Sequence, residues 1–256
     1  MFGGIPSKSK ILKVATYNIS HCQDFSASTA NGAPVDIKKY GQYIQKIGAD
    51  IIALNEVYFD GVSEEFRKQT EKLKDIAMYA YSAEAVGKVL PRLTIGNAIL
   101  SKYPIEMVET FPVLAPTEEE RIDGENDWYE DRVVLSVVIN VEGKKIRVIA
   151  THFGLNGLEQ QRMIDTVCPI IDDSKIPVIF MGDFNAQPHT EILIPIYERL
   201  KSCADEQKNT EYTFSSFNPY MTIDYIFTSK GIKVQSFNVK KDILSDHRAC
   251  LAEIEI

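Results

Sequence analysis

Pro177-Val178-Ile179-Phe180-Met181-Gly182-Asp183-Phe184-Asn185-Ala186-Gln187-Pro188 is the stretch on which the reading of the fold turns. Val178 to Met181 is an uninterrupted apolar run, the pattern of a strand buried on both faces. Gly182 and Pro188 punctuate its end, and the turn between them carries Asp183 and Asn185. If extended geometry persists through them, both side chains point to one face. A carboxylate beside a carboxamide at the mouth of a sheet can take a proton or a metal ion and can donate to an oxyanion. The same residues also build simple turns, in which Asp and Asn bond their own backbone. The other strand ends decide between the two readings.

Working outward, Leu158 to Ile171 places Met163, Ile164, Val167 and Ile171 at helical spacing. Before it, Arg132–Val141 and Lys144–Thr151 read as strands joined by the hairpin signal Glu142-Gly143, the second ending at His152. The first half of the chain repeats the scheme. Ile11–Tyr17 is a strand ending at Asn18, and a polar loop from Ser20 to Pro34 is expected at the surface. Asp36 caps a helix to about Ile47, and Asp50–Leu54 is a buried strand closing on Asn55-Glu56. Ser63 to about Ala77 reads as a charged amphipathic helix, and Thr94–Ser101 as a short strand broken by Gly96. A short helix from about Thr190 to Leu200 follows the opening stretch, then strands Thr222–Thr228, Ile232–Val239 and Ala249–Ile256. Val14-Ala15-Thr16-Tyr17 echoes Ile149-Ala150-Thr151-His152, each leading through a helix to a buried strand with an acidic end. Such an echo fits two related α/β halves packed sheet to sheet.

With 256 residues, 45% of them hydrophobic and 25% charged, the chain can build its core without staples. No linker rich in Pro, Gly or Ser divides it, so residues 1–256 are read as one domain, with residues 1–10 a loose tail. The net charge of −8 gives no global basic footprint for nucleic acid or an anionic membrane. Cys22, Cys168, Cys203 and Cys250 are scattered without a CxxC pair and read as free thiols of a reducing compartment. No apolar run approaches a membrane span and no leader is visible, so a cytoplasmic, monomeric protein is expected. Six acidic residues between Glu118 and Asp127 read as a solvated loop that could overhang a site, with Trp128 and Tyr129 able to stack on a ring.

Six strand ends carry polar groups: Asn18, Glu56, His152, Asp183 with Asn185, Asp224, and Asp246 with His247. Sheets gather their strand ends at one edge, so groups far apart in sequence can converge there. Oxygen ligands without thiolates suit Mg²⁺, with Mn²⁺ able to substitute. Two histidines beside an extra Asp allow acid–base work near neutral pH, and no GxSxG elbow signals a covalent nucleophile. These parts fit metal-assisted attack of water on a phosphoester.

The series Thr16-Tyr17-Asn18, Leu54-Asn55-Glu56-Val57, Gly96-Asn97-Ala98-Ile99-Leu100-Ser101, Thr151-His152-Phe153-Gly154, Gly182-Asp183-Phe184-Asn185, Ile223-Asp224-Tyr225-Ile226 and Ser245-Asp246-His247 resembles the endonuclease/exonuclease/phosphatase superfamily. Deoxyribonuclease I, neutral sphingomyelinases and inositol polyphosphate 5-phosphatases belong to that group. The resemblance implies a four-layer α/β/β/α sandwich of two mainly antiparallel or mixed sheets. It also implies roles. Glu56 resembles the principal metal ligand, assisted by Asn18 and by Asp246. His247 resembles a base oriented by Asp224, and Asp183 the group that positions or activates the water; the base assignment stays open between Asp183 and His247. Asn185 and His152 resemble ligands of the non-bridging phosphate oxygens, and Arg132 is a further phosphate contact. Asn55 stands where many members carry Gln, and Arg248-Ala249-Cys250 replaces a frequent proline. The expected activity is hydrolysis of a phosphoester, most of all a phosphodiester. The substrate stays open among a small molecule, a lipid headgroup and a nucleic acid. The alternatives are a nuclease with the same machinery and a pseudoenzyme that only binds a metal or a partner.

Overall fold

In a computed structural model, which describes residues 9–27, 33–122, 124 and 128–256, strand β1 (Ile11–Asn18) serves two neighbours at once. Its Leu12 and Val14 face one apolar layer, while Ala15 and Tyr17 face another. That alternation, repeated strand by strand, generates the architecture. The first half of the chain continues with α1 (Ile37–Ile47), β2 (Ile51–Asp60), α2 (Gln69–Ile76), β3 (Tyr81–Leu90), β4 (Leu93–Ser101) and β5 (Ile105–Val113). The second runs through β6 (Arg132–Val141), β7 (Lys144–His152), α3 (Gly157–Asp172), β8 (Val178–Asp183) and α4 (Ile194–Arg199). It closes with β9 (Leu200–Ser202), α5 (Cys203–Glu206), β10 (Asp224–Ser229), β11 (Lys233–Val239) and β12 (Cys250–Glu255).

Two six-stranded sheets result, ordered β11-β12-β1-β2-β4-β3 and β5-β6-β7-β8-β10-β9. Each has one central parallel pair, β1–β2 or β7–β8, and antiparallel neighbours elsewhere. The sheets therefore share one topology, which is what the sequence echo anticipates. Their inner faces meet through Val14, Ile51, Leu135, Val148, Ile179 and Met181. On the outside, α1 buries Tyr40, Ile44 and Ile47 against Tyr17 and Leu54, while α3 buries Met163, Ile164 and Val167 against Ile149 and Phe180. The strand from Val178 is thus apolar as far as Met181 because both of its faces are covered. The layers are α/β/β/α.

The expected helix after Asp36 is present and capped as its sequence dictates. Asp36 accepts from Lys39 N at 2.9 Å, and Gly48 closes the helix in the left-handed region (φ 72°). Other segments differ from the sequence reading. The helix expected over 63–77 is instead a 3-10 turn, Glu64–Phe66, followed by α2, because Lys68 turns left-handed (φ 51°) and directs Gln69 inward. The helix expected over 190–200 is a 3-10 turn at Glu191–Leu193 followed by the shorter α4. β3 and β5 had no clear apolar signal: β3 buries only alanines, and β5 is an edge strand with Pro112 near its end. Gly96 does not break β4; a Cβ there would lie 1.9 Å from the Ala85 carbonyl oxygen, so the glycine lets β3 approach. The loop from Ser20 is not wholly at the surface, since Ser20, Cys22 and Asp24 are buried. The tail expected over residues 1–10 lies outside the described residues up to position 8. Lys10 is not loose, for its backbone exchanges two hydrogen bonds of 3.0 Å with Ile256. No helix among the described residues is long and apolar enough to cross a membrane.

Gly182 is the tightest point of the parallel pair. Its φ is 151°, and a Cβ would lie 1.9 Å from the Thr151 carbonyl oxygen on β7. Gly182→Ala is expected to cost more than about 3 kcal/mol in chemical denaturation, by combining a backbone clash with strain. An unchanged midpoint would contradict this packing.

Candidate active site

Along the inner faces the period-two pattern runs on after the apolar residues end. Leu12 and Val14 lead to Asn18, Ile51 and Ala53 to Asn55, Val148 and Ala150 to His152, Ile179 and Met181 to Asp183. Ile99 leads back to Asn97 on β4, and Ile226 back to Asp224 on β10. One end of the inter-sheet core is therefore polar because each strand carries its polar residue one or two steps beyond its last inward apolar one. Register completes the gathering: Asn18 pairs with Asn55, His152 with Asp183, and Asp183 with Asp224.

Glu56 reaches this site by breaking the rule. The β2–β4 register slips between Leu54 and Val57, and Glu56 adopts φ 57°. The irregularity lets Asn55 and Glu56, adjacent in sequence, both serve the same end of the core. β2 then continues to Asp60, beyond the end expected at Leu54.

The cleft that opens here encloses about 470 Å³ and is lined by Glu56, Arg132, His152, Asp183, Asn185 and His247, among others. Asn18 and Asp224 lie behind that lining, fully buried. Asn18 donates its Nδ2 to Glu56 Oε1 at 2.9 Å and to Asp183 Oδ2 at 3.1 Å, while its Oδ1 accepts from Ser20 N. In this orientation Asn18 holds two carboxylates together, and its oxygen is turned away from them. Asp224 accepts from His247 Nδ1 at 3.0 Å, which leaves His247 Nε2 facing Asp183 Oδ2 at 3.6 Å. Asp183, Asp224 and His247 thus form a buried file with ligating atoms within 4.8 Å of one another. Asp246, anchored by a bond from Ser245 Oγ to its Oδ1 at 3.1 Å, sits beside them in the chain. Its carboxyl is raised by burial, against the pull of His247.

Asp183 and Asn185 satisfy both readings of their motif. Asp183 Oδ1 accepts from Asn185 N at 2.9 Å, so the pair does form an Asp turn on its own backbone. Extended geometry does not persist, because Asn185 has φ 45°; its Nδ2 donates to the Phe153 carbonyl at 2.9 Å. Asp183 Oδ2 is left toward Asn18, His152 and His247.

Arg132 settles the state of His152. Its Nη1 lies 3.2 Å from His152 Nδ1, and a guanidinium can only donate, so Nδ1 accepts and Nε2 carries the proton. That N–H faces Asp183 Oδ2 at 3.5 Å. Burial, then the charge of Arg132, push the His152 imidazolium well below its ordinary range. Arg132 also pairs with Glu130 at 3.2 Å, and Lys88 pairs with the same carboxylate. The ordinary ion pair and the contact at the site coexist.

Charge in the cleft is finely divided. Burial pushes the Asp183 carboxyl up to about 7; His247 opposes that shift and Asp224 adds to it. His247 is itself raised, because the carboxylates of Asp224 and Asp183 outweigh its burial. The Asp183–His247 pair therefore retains a proton around neutral pH. Glu56 behaves in the opposite way: burial would raise it, yet the charges that His21 and His152 carry when protonated, with the Asn18 hydrogen bond, lower it to about 2.

Three contributors lie outside the roles assigned from sequence. Asn55 Oδ1 accepts from Asp183 N at 3.1 Å, and its Nδ2 donates to the Thr151 carbonyl at 2.7 Å and to Asn97 Oδ1 at 2.8 Å. Asn97 passes the contact to the Val133 carbonyl at 2.9 Å. Alternation back from Ile99 points to Asn97. His21 stands beside Glu56 and had no signal, since it lies in an irregular turn. Of the acidic segment, Trp128 at its end lines the cleft, as do Glu130 and Asp131 beyond it, whereas Arg121 lies over the Tyr129 ring, 4.6 Å from the ring centre. Asp123 and 125–127 of that segment lie outside the described residues. The four cysteines are buried, and those nearest the motifs, Cys22 and Cys250, have thiols pushed well up by burial.

The two like sheets thus gather carboxylates, histidines and amides at their shared end, the composition of a buried acid–base site. A model of the endonuclease/exonuclease/phosphatase family matches residues 15–247, and the chain belongs to that family. The uncharacterized protein YbhP of Escherichia coli is 31% identical over 154 residues, a match spanning 56% of this chain and 56% of that protein. Among solved structures, an endonuclease/exonuclease/phosphatase from Beutenbergia cavernae has a TM-score of 0.78 at 21% identity, covering 96% of this chain and 72% of that one. A mannosyl-6-phosphatase from Bacteroides thetaiotaomicron has a TM-score of 0.73 at 16% identity, covering 95% and 99%. At such identities the two structures show the shared fold.

The raised carboxyl of Asp183 gives a stability prediction. Its folded pKa exceeds the ordinary 3.8, so the folded state binds the extra proton, and stability falls as pH rises from about 4 to about 7. Asp183→Asn is expected to raise the melting temperature by a few degrees at pH 8 in EDTA, with the gain shrinking toward pH 4. A lower melting temperature at pH 8 would contradict this.

Proposed function

We propose that the protein hydrolyses a phosphoester by direct attack of water, with a divalent cation, Mg²⁺ or Mn²⁺, held at Glu56. The observation that carries this reading is the buried Asp224–His247–Asp183 file facing Glu56 across Asn18, with no serine or cysteine among the described residues lining the cleft. The donor set fits a hard cation: Glu56 stays ionised, Asp183 adds oxygens, Asp246 lies near enough to feel the Glu56 charge though it does not line the cleft, and no cysteine is among the described lining residues. When bound, the cation neutralises phosphate charge and polarises the phosphoryl group.

The chain's own groups do the rest. Asp183 and His247 take the proton of the attacking water, and Asp224 fixes the His247 tautomer so that Nε2 faces the reaction. His152, held neutral with its Nε2–H inward, donates to a phosphate oxygen as charge develops there, and Arg132 keeps it in that tautomer. Asn185 uses one amide hydrogen on the Phe153 carbonyl and has a second to offer the phosphate. Asn18 keeps the Glu56 and Asp183 carboxylates adjacent.

A compact ester fits better than a long polyanion. The cations at the rim, Lys88 and Arg132, both pair with Glu130, and the chain carries a net charge of −8. The exposed rings of Trp128 and Tyr220 also line the cleft and suit a substrate that carries a sugar or other ring. The related fold of a mannosyl-6-phosphatase supports that class.

Hydrolysis of p-nitrophenyl phosphate or its bis ester is expected with Mg²⁺ or Mn²⁺ and is expected to vanish in EDTA. Asp183→Ala and His247→Ala are each expected to lower kcat by roughly 10²–10⁴. Full activity in EDTA or in either variant would overturn the reading. A parallel panel of sugar phosphates, inositol phosphates, nucleotides, sphingomyelin, plasmid DNA and RNA tests the substrate class; preferential cleavage of the nucleic acids would replace the small ester with a nuclease.

A further inference from the structure

His21 is a histidine placed at the foot of Glu56 by a costly turn. Ser20, His21 and Cys22 are consecutive non-glycine residues in the left-handed region, with φ of 41°, 57° and 64°. The turn is held from both sides. Gln69, fully buried, donates to the His21 carbonyl at 3.0 Å and accepts from Tyr58 N at 3.0 Å, tying the turn to β2 just beyond Glu56. The Tyr58 ring stacks on the imidazole, with centroids 4.1 Å apart and planes 13° from parallel. Tyr58 and Gln69 thus fix both the plane of the ring and its position.

The orientation so enforced has a chemical consequence. His21 Nδ1 lies 2.9 Å from the Glu56 carbonyl oxygen, which can only accept, so Nδ1 carries a hydrogen. In the neutral ring Nε2 then presents a lone pair, and it faces Glu56 Oε2 at 3.2 Å. Two lone-pair atoms at that separation repel unless a positive charge lies against both. Two adjacent ligands of an octahedral ion with bonds of about 2.1 Å stand about 3.0 Å apart. The spacing of Nε2 and Oε2 is close to that of such a pair. The other Glu56 oxygen is already fixed by Asn18 at 2.9 Å, so the carboxylate is oriented independently of His21.

We propose that His21 Nε2 is a ligand of the cation held by Glu56, giving the site one imidazole nitrogen among its oxygens. This rests on the metal-dependent reading above. A nitrogen ligand favours Mn²⁺ over Mg²⁺, because imidazole binds borderline transition ions better than it binds the hard alkaline-earth ion. The alternative for the same geometry is an added ring proton, which would make His21 an ion-pair partner of Glu56 with no place on the metal.

The experiment measures Mn²⁺ and Mg²⁺ affinity by calorimetry for the wild-type chain, His21→Ala and His21→Asn. Each is checked for folding by circular dichroism, and Asn retains a donor for the Glu56 carbonyl. Pulsed EPR of the Mn²⁺ complexes reports imidazole nitrogen coupling. The expected result is a loss of Mn²⁺ affinity of about 10- to 100-fold in both variants, with Mg²⁺ affinity reduced far less. The nitrogen coupling is expected to disappear in both and to persist in His152→Ala. Equal weakening of both ions, or unchanged nitrogen coupling, overturns the ligand role and leaves the ion pair. Absence of Mn²⁺ and Mg²⁺ binding by the wild-type chain overturns the metal-dependent reading itself, which is a distinguishable failure.

Discussion

Buried carboxamides join the two sheets at the end where the cleft opens, and Asn55 makes the most of these links. Asn55 belongs to one sheet, yet two of its three side-chain hydrogen bonds go to the backbone of the other, at Asp183 and Thr151. The third goes to Asn97, which itself reaches across to Val133. Apolar packing between sheets fixes their separation but tolerates sliding, whereas hydrogen bonds between buried groups do not. Without these amides, Asp183 and Glu56, which lie on different sheets, would be related through Asn18 alone. Everything else in the cleft presupposes that relation.

The two sheets share a topology but divide the labour. At equivalent strand positions one presents Asn18, Asn55 and Asn97, and the other His152, Asp183 and Asp224. Amides cannot titrate at neutral pH, so the first set can only orient; the second set consists of groups able to hold a proton. Placing them face to face lets one buried site contain several carboxylates without leaving them unpaired, which would be prohibitive in a low-dielectric interior. Asp183 still bears a cost of burial, seen in its raised carboxyl, and that residual cost is what leaves it able to take a proton near neutral pH.

Much of this was legible in the sequence because alternation is a local signal. Val178–Met181 and Ile11–Tyr17 announce buried strands, and the polar residues that follow them announce a polar sheet end. What was not legible depends on departures from local geometry. Glu56 enters through a register slip, Asn185 through a left-handed turn, and Lys68 splits a helix for the sake of Gln69. No propensity predicts these, since tertiary contacts enforce them. β3 escaped notice because alanine against a glycine-bearing neighbour carries little apolar weight. His21 escaped because its importance arises from the Tyr58 ring and the Gln69 amide, both far along the chain.

The central proposal is that this end of the sandwich activates water for direct attack on phosphorus, since Asp183, His247 and Asp224 are arranged for a proton and no serine or cysteine is among the described residues that line the cleft. The most direct measurement is hydrolysis of a phosphoester in ¹⁸O-enriched water by the Mg²⁺-loaded protein, followed by mass spectrometry of both products. The account predicts one ¹⁸O in the released phosphoryl product after a single turnover and none in the alcohol. Label in the alcohol, or a phosphoryl group trapped on a side chain of the protein, would contradict it.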